Sequence, residues 1–490
     1  MTEKTIKYFL KNMGCQMNVA DSNMVSSYLK SIGMMETDKI ETADIVVINT
    51  CTVRQHAEER AFSEIGEMKH WKYAKTKIAT SPCKSGRNHN DNNDIKILIV
   101  MGCVAERIGF DALKQKFPHI DIVIGAKSVP EFEKQLLNNK KFKSLIDKPG
   151  FFRSDFIGTQ NDIITSNDNN SVSAFVTIMR GCNNYCSYCI VPYVRGKEIS
   201  RNPAEIIEEI KCLVKRGIKE VTLLGQNVNS YKYKIPLYPP LQKGERRKTK
   251  KTYINFNELL QETTKIPGLL RTRFMTNHPK DVPGKVINTI ASNPMICKHI
   301  HLPLQSGSDK ILKKMNRKYT AKKYMSIIRK LQDKVPGIAI TTDIMVGFPG
   351  ETDRDFNDTV NLIKKIAPDF AYVFKYSTRE KTTASKYKDN ISKEIKEKRH
   401  KILLDLCNKI AERKNRKLIN KKLEILVEKI YNDNNRFSLF GKTDDNRPVT
   451  CYLNKLPKQS IIGQIVTVKI INSKIHSLSG EVCQKIHSLR

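Results

Sequence analysis

Three cysteines fall within eight residues of MRGCNNYCSYCIVPYVRGKE (179–198): Cys182, Cys186 and Cys189, spaced C-x3-C-x2-C. Structural zinc takes four nitrogen or sulfur ligands, so the triplet would have to borrow a fourth. Cys212 is a candidate lender, but in EEIKCLVKRG it sits mid-helix and reads more simply as a core residue. Electron-transfer iron–sulfur sites also use four thiolates per cluster. Three thiolates can instead hold three irons of a 4Fe–4S cluster and leave the fourth open to a substrate, much as catalytic zinc keeps an open position. The spacing alone leaves zinc as an alternative. The apolar strand AFVTIM before the triplet and the β/α pattern after it favour the cluster, because active sites of β/α barrels lie on the loops that follow the strands. Tyr188, between the last two cysteines, is placed to lay its ring or backbone against a flat purine.

Three more cysteines are far apart in sequence but alike in context. Cys15 follows strand KYFL in NMGCQMN, Cys51 follows DIVVINT, and Cys103 follows IKILIVMG. Each stands at the carboxyl end of an expected parallel strand, the edge where open α/β sheets bind ligands. A free cysteine is often just a small buried hydrophobe. That explains one such position easily and three together poorly, so a shared site is expected.

The elements that must position these thiols form three blocks. Residues 4–150 alternate apolar runs with helical segments, ending on DIVIG, and predict a parallel sheet covered by helices. A polar linker follows, about 153–172. Residues 173–400 contain six candidate strands, AFVTIM, VTLLG, TRFMT, HIHLPL, IAITTDIMV and FAYVFKYS, with helices between them, which predicts a partial (β/α)6 barrel. After a charged helix at about 392–418, residues 418–486 turn to short alternating strands and predict a small all-β barrel. The fold class is therefore α/β with a C-terminal β-barrel. Two inserts, 84–94 and 233–251, read as surface loops.

The chain has 490 residues with 86 Lys+Arg against 50 Asp+Glu, a net charge of +36 that favours a polyanionic partner such as nucleic acid. A lysine-rich proteome would produce the same surplus. Twelve cysteines are too few for a disulfide scaffold at this length. No apolar run reaches the roughly 18 residues of a membrane span, and the N-terminus lacks a signal-peptide core. A cytoplasmic protein with no membrane partner is expected.

The motif GCNNYCSYCIVPY resembles the signature of the radical S-adenosylmethionine (SAM) superfamily. Together with VRGKEISR, LLGQNVNSY, HLPLQSGSDKILKKMNRKYT and TTDIMVGFPGETDRDF it resembles the methylthiotransferase family, most closely its MiaB type, through nearly the whole chain. The resemblance implies a radical SAM core and a C-terminal TRAM domain, an RNA-binding barrel matched by GKTDDNRPVTCYL and IIGQIVTVKI. It implies two 4Fe–4S clusters, one on Cys182, Cys186 and Cys189 that cleaves SAM, and one on Cys15, Cys51 and Cys103 that handles sulfur. It implies that the edge Gly225, Gln226 and Asn227 faces SAM, with Gln305 and Ser306 toward its ribose or methionine part and Thr342, Asp343, Val346 and Gly347 toward adenine.

The activity so implied is insertion of a methylthio group at C2 of isopentenyladenosine 37 in the anticodon stem-loop of tRNA. An electron donor such as flavodoxin or ferredoxin and a monomeric state go with it. Sister enzymes that act on threonylcarbamoyl-adenosine in tRNA or on a ribosomal-protein aspartate share all six cysteines. GQNVNSY and NVADS favour the isopentenyl type, and the charge favours RNA. A non-enzymatic RNA-binding protein with structural metal is the third alternative. Arg195, Lys197 and Arg201 flank the triplet and are phosphate candidates. His278, before a proline in TNHPKD, reads as a structural residue. Cys83, Cys212, Cys297, Cys407, Cys451 and Cys483 read as incidental, and Thr352 or Asp353 as a helix cap.

Overall fold

The computed structural model describes residues 5–52, 55–74, 96–147, 171–235, 252–433, 436–453 and 460–483. Cys83, the insert at 84–94, most of the insert at 233–251 and nearly all of the linker lie outside the described residues. The chain divides into two compact units. One holds the residues up to 147 together with Ile190–Gly196; the other holds residues 171–189 and those from Lys197 onward.

The first unit is built on a five-stranded parallel sheet. Its order is Met35–Glu36, Lys7–Met13, Ile45–Thr50, Ile97–Gly102, Ile122–Gly125. IVVINT and ILIVMG are buried at every position. Continuous apolar runs of this kind are what a parallel sheet with both faces covered demands. Alternate side chains serve opposite faces: Ile45, Val47, Ile97 and Ile99 pack in one cluster, and Val46, Ile48, Leu98 and Val100 in another. The edge strand Met35–Glu36 has no counterpart in the sequence reading, because two residues are too few to show a period.

In the second unit all six expected strands appear, as two parallel three-stranded sheets. One runs Arg271–Phe274, Glu220–Leu224, Ser173–Thr177; the other runs His299–His301, Ala339–Val346, Phe370–Lys375. Their shared core includes Val176, Val221, Leu223, Phe274, Ile300 and Ile344. Helix Pro203–Lys215 starts at the Asn202 cap, and helix Asp353–Ile366 starts at a capping box between Thr352 and Asp355.

Helix Lys393–Arg416, capped by Ser392, leads into a closed barrel of Lys422–Asp433, Arg436–Thr443, Pro448–Leu453, Leu478–Val482 and Ile465–Ser473, in that spatial order. Two buried arginines of strand Arg271–Phe274 dock the barrel. Arg271 donates to the carbonyl of Lys442 at 2.6 Å. Arg273 donates to the carbonyls of Asp444 at 2.7 Å and Thr443 at 2.6 Å. Arg447 of the barrel pairs with Asp369 of the core at 2.6 Å.

Candidate active site

The register of the first sheet sets out its cysteines. Met13 pairs with Thr50, Thr50 with Gly102, and Gly102 with Gly125. Cys51 and Cys103 follow that row directly and Cys15 follows one residue further on, so one sheet end presents all three. Cys15 is the N-cap of helix Gln16–Ser31, and Cys103 begins helix Cys103–Ile108. Gly102 has φ +100°, and a Cβ there would stand 2.4 Å from the carbonyl oxygen of Thr50, so only glycine fits.

An asparagine pair locks the loops. Asn18 Nδ2 donates to Asn49 Oδ1 and to the carbonyl of Thr50, both at 2.8 Å, and Asn49 Nδ2 donates back to the carbonyl of Asn18 at 2.8 Å. The Cys15 thiol donates to Asn18 Oδ1 at 3.3 Å. Cys15 is exposed, and Cys51 and Cys103 are buried. A hydrogen bond with Cys51 holds the Cys15 thiol below the ordinary thiol range, with the Arg195 guanidinium adding to the effect. Burial pushes Cys103 up, opposed by Arg195.

Arg195 is not a phosphate contact. It is buried in the first unit, with Nη1 on Asp21 at 3.2 Å and Nη2 on Asn18 Oδ1 at 3.4 Å. Arg201 is also committed, to the carbonyl of Thr177 at 2.6 Å and to Glu209 at 2.8 Å. The buried Arg195 must satisfy its donors within the protein, and the half-buried Arg201 is held by its ion pair and carbonyl contact. Lys197 is exposed.

In the second unit the triplet forms a loop after strand Ser173–Thr177. Cys182 and Cys186 are buried and Cys189 is half-buried. The turn closes through Cys189 N–H to the Cys186 carbonyl at 2.9 Å. Left-handed backbone at Gly181 and Tyr185, φ +75° and +46°, folds the loop back on itself.

The end of helix Asp309–Lys314 braces the loop. Ser187 N–H donates to the carbonyl of Met315 at 3.0 Å, Ser187 Oγ to that of Lys314 at 2.8 Å, and Asn316 Nδ2 to that of Tyr185 at 2.8 Å. Arg317 Nη1 donates to Cys186 Sγ at 3.4 Å. The motif LKKMNRKYT is therefore the scaffold of the cysteine loop, a role the sequence reading missed. Tyr188 packs edge-on against Phe348, centroids 6.5 Å apart. Burial pushes the Cys182 thiol up. Iron coordination deprotonates such a thiol outright. Among the described residues, no three His, Cys, Asp or Glu are arranged to share a single metal ion.

The residues expected to face SAM divide into two kinds. Several are bound up in the scaffold. Thr342 Oγ1 donates to the carbonyl of Leu302 and accepts from Leu304 N–H, both at 2.9 Å, stitching two strands. Ser306, fully buried, shares a 3.3 Å hydrogen bond with Thr359. Val346 is fully buried in the core. Asn227 Nδ2 donates to Asp281 at 2.7 Å, and its Oδ1 accepts from His278 N–H at 3.1 Å. Gly225 lies under Met179, whose Cγ would be 2.5 Å from a Cβ. Gly347, φ +70°, donates its N–H to Glu351 at 2.8 Å. Asp343 lies 3.4 Å from His301. Gln305, φ +68°, links its backbone to Asp343 and Met345.

The second kind is left open. Gln226 Oε1, both side-chain polar atoms of Asn229, Asn277 Oδ1 and His278 Nε2 are buried without a hydrogen-bond partner. They lie beyond the ends of the adjacent strands Glu220–Leu224 and Arg271–Phe274. Native proteins rarely leave buried polar atoms orphaned, and a polar ligand that satisfies them is the physical remedy. Of these only Gln226 was expected; Asn229, Asn277 and His278 were not among the expected residues. Only their orphaned atoms single them out, and a sequence does not show those.

The same chain ranges match known families. Residues 176–363 match the model of the Radical SAM superfamily, and residues 7–125 that of Uncharacterized protein family UPF0004. The tRNA-2-methylthio-N(6)-dimethylallyladenosine synthase of Clostridium botulinum (strain Okra / Type B1) is 40% identical over 481 residues, 97% of this chain and 96% of the relative. The synthase of that name from Endomicrobium trichonymphae is 38% identical over 477 residues, 97% of this chain and 100% of the relative. The chain belongs to this family. The radical SAM methyltransferase TsrM from Kitasatospora setae aligns with TM-score 0.49 at 13% identity, over 75% of this chain and 73% of that one, a likeness too remote to argue from.

The first match spans the triplet and the orphaned polar atoms, and the second spans Cys15, Cys51 and Cys103. No helix among the described residues is long and apolar enough to cross a membrane.

Proposed function

We propose that this chain inserts a methylthio group at C2 of isopentenyladenosine 37 in tRNA, using SAM and two 4Fe–4S clusters. The observation that carries the reading is full-length identity to synthases of that name. Cys182, Cys186 and Cys189 hold one cluster, and Cys15, Cys51 and Cys103 hold the other. The cluster that Cys182, Cys186 and Cys189 would hold would supply the one-electron chemistry needed for reductive cleavage of SAM. Acid–base catalysis has no purchase on an unactivated aromatic C–H bond, so the substrate itself calls for radical chemistry.

The protein's own residues orient and exclude. The orphaned amides of Gln226 and Asn229, Asn277 Oδ1 and His278 Nε2 receive the polar groups of SAM. His278 offers Nε2–H as a neutral donor, because its Nδ1 accepts from Lys280 N–H at 3.2 Å and burial holds the imidazole far below the usual histidine range. Tyr188 and Phe348 close an apolar wall near the loop. Cys15, with its thiol already shifted toward thiolate, gives the sulfur-handling site an accessible ligand.

The division of labour follows residues 4–150 for sulfur, 173–400 for the radical core and 418–486 for RNA. The barrel exposes Tyr431 and Tyr452, aromatic platforms of the type that stack on unpaired bases. Lys409, Arg413, Arg416 and Lys417 line a hollow at the end of the preceding helix together with Glu412, which pairs with Arg416 at 2.7 Å and leaves the lining net basic. The chain works as a cytoplasmic monomer and takes electrons from a flavodoxin or ferredoxin.

The test is a single incubation. Reconstituted protein, SAM and dithionite are mixed with isopentenylated anticodon stem-loop RNA, and the nucleosides are analysed. The methylthio nucleoside is the expected product. Conversion of a threonylcarbamoyl stem-loop with none of the isopentenyl one would reassign the substrate.

A further inference from the structure

Arg317 is 7% exposed. Among the described residues, none of its contacts is a carboxylate. Its Nε donates to Tyr319 Oη at 3.1 Å, its Nη2 to the carbonyl of Pro303 at 2.9 Å, and its Nη1 to Cys186 Sγ at 3.4 Å. Its guanidinium also lies 5.1 Å from the Tyr319 ring centroid. A buried charge without a counter-charge is among the more costly things a fold can hold. Three other buried arginines avoid it, Arg273 with Glu220, Arg399 with Glu351 and Arg195 with Asp21, while Arg271 spends its donors on barrel carbonyls. At Arg317 the one contact that becomes anionic in function is a sulfur, once Cys186 ligates iron as a thiolate.

We infer that Arg317 is a positioning residue for the radical cluster: its charge and its hydrogen bond to Cys186 hold the ligating sulfur and raise the cluster's reduction potential. The inference rests on reading Cys182, Cys186 and Cys189 as the cluster ligands. Adding an electron makes the cluster more negative, and a fixed cation with a donor on a ligand sulfur favours that state. The cation is held in a buried site, so solvent screens it little. Tyr319 satisfies the Nε donor of this guanidinium, away from the Nη1 that meets the sulfur. Its hydroxyl accepts from Arg317 and donates to the carbonyl of Leu304 at 2.6 Å.

The experiment uses the full chain with Cys15, Cys51 and Cys103 replaced by alanine, reconstituted with iron and sulfide, so that only one cluster titrates. The midpoint is read by electron paramagnetic resonance for Arg317, Arg317→Lys, Arg317→Met and Tyr319→Phe. Arg317→Met is expected to bind iron and to lower the reduced-to-oxidised ratio at a fixed potential about tenfold, a midpoint about 59 mV more negative for one electron. Arg317→Lys is expected to fall between, and Tyr319→Phe to stay at the parent value. The apo form of Arg317→Met should melt no lower than the parent, because an unpaired charge has left the core.

An unchanged midpoint in Arg317→Met overturns the inference, as does a lower apo melting temperature with no shift. If Arg317→Met fails to hold iron, Arg317→Lys decides: a lowered midpoint supports the inference and the parent midpoint overturns it. Absence of any cluster in the parent instead removes the ligand assignment beneath it.

Discussion

Asn18 and Asn49 face each other across the end of the N-terminal sheet and exchange two hydrogen bonds of 2.8 Å, both residues fully buried. Asn18 Oδ1 also accepts from the Cys15 thiol, and Asn49 Nδ2 donates to Ser22 Oγ at 3.0 Å. Asn49→Ala removes one of the two partners of Asn18 Nδ2 and the Nδ2 donor to the Asn18 carbonyl, and leaves a cavity. We expect a loss of about 1–3 kcal/mol in the stability of this unit. We also expect loss of iron from Cys15, Cys51 and Cys103, measured in a chain whose other triplet is replaced by alanine. Full iron with unchanged stability would show that the pair does not hold the loops.

The barrel's attachment makes a second prediction. Arg273 and Glu220 form a buried pair at 2.7 Å, and the remaining Arg273 donors reach barrel carbonyls. Arg273→Met leaves Glu220 buried and alone, at a cost of about 3–5 kcal/mol. Adding Glu220→Met should recover most of that loss, because the lone charge goes with it. Denaturant unfolding of the two variants checks this; a double variant no better than the single would refute it.

Acid should destabilise the second unit through two histidines. Burial pushes both His278 and His299 well below the usual histidine range. Each is neutral when folded, so the unfolded chain binds the extra protons once the pH drops below about 6.5. Their contribution is present above that pH and is lost as the pH falls, by up to about 1.4 kcal/mol per pH unit for each. His299→Gln should flatten the stability profile between pH 6.5 and 5 by up to one histidine's share. An unchanged slope would count against it.

RNA binding should depend on an exposed aromatic. On strand Pro448–Leu453, Val449 and Cys451 point into the barrel and Tyr452 is 69% exposed. Tyr452→Ala should weaken tRNA binding by about 1–3 kcal/mol, the usual worth of one stacked base. The melting temperature should not move, since the ring contributes little to the core. Affinity measured at fixed salt gives the answer, and wild-type affinity would exclude the stacking role.

The sequence made the parallel strands legible because their period and length are strong signals. IVVINT and ILIVMG are apolar at nearly every position, and each is followed by a cysteine. Placing three thiols at one sheet end needs no side-chain detail, only strand direction. Residue-level contacts were less legible. Thr342, Ser306 and Asn227 lie where a ligand edge was expected, yet their hydrogen bonds go to Leu302, Thr359 and Asp281. A polar side chain after a strand can turn either way, and only packing decides. Arg195 and Arg201 stood only as phosphate candidates, because charge in a sequence carries no depth. Arg317 was passed over for the same reason in reverse, as one cation among many in KKMNRKYT.

The most direct test of the central claim is mass spectrometry of nucleosides from host tRNA with and without this gene. Loss of 2-methylthio-isopentenyladenosine with accumulation of isopentenyladenosine is the predicted result. An unchanged ratio of those two nucleosides would contradict the assignment.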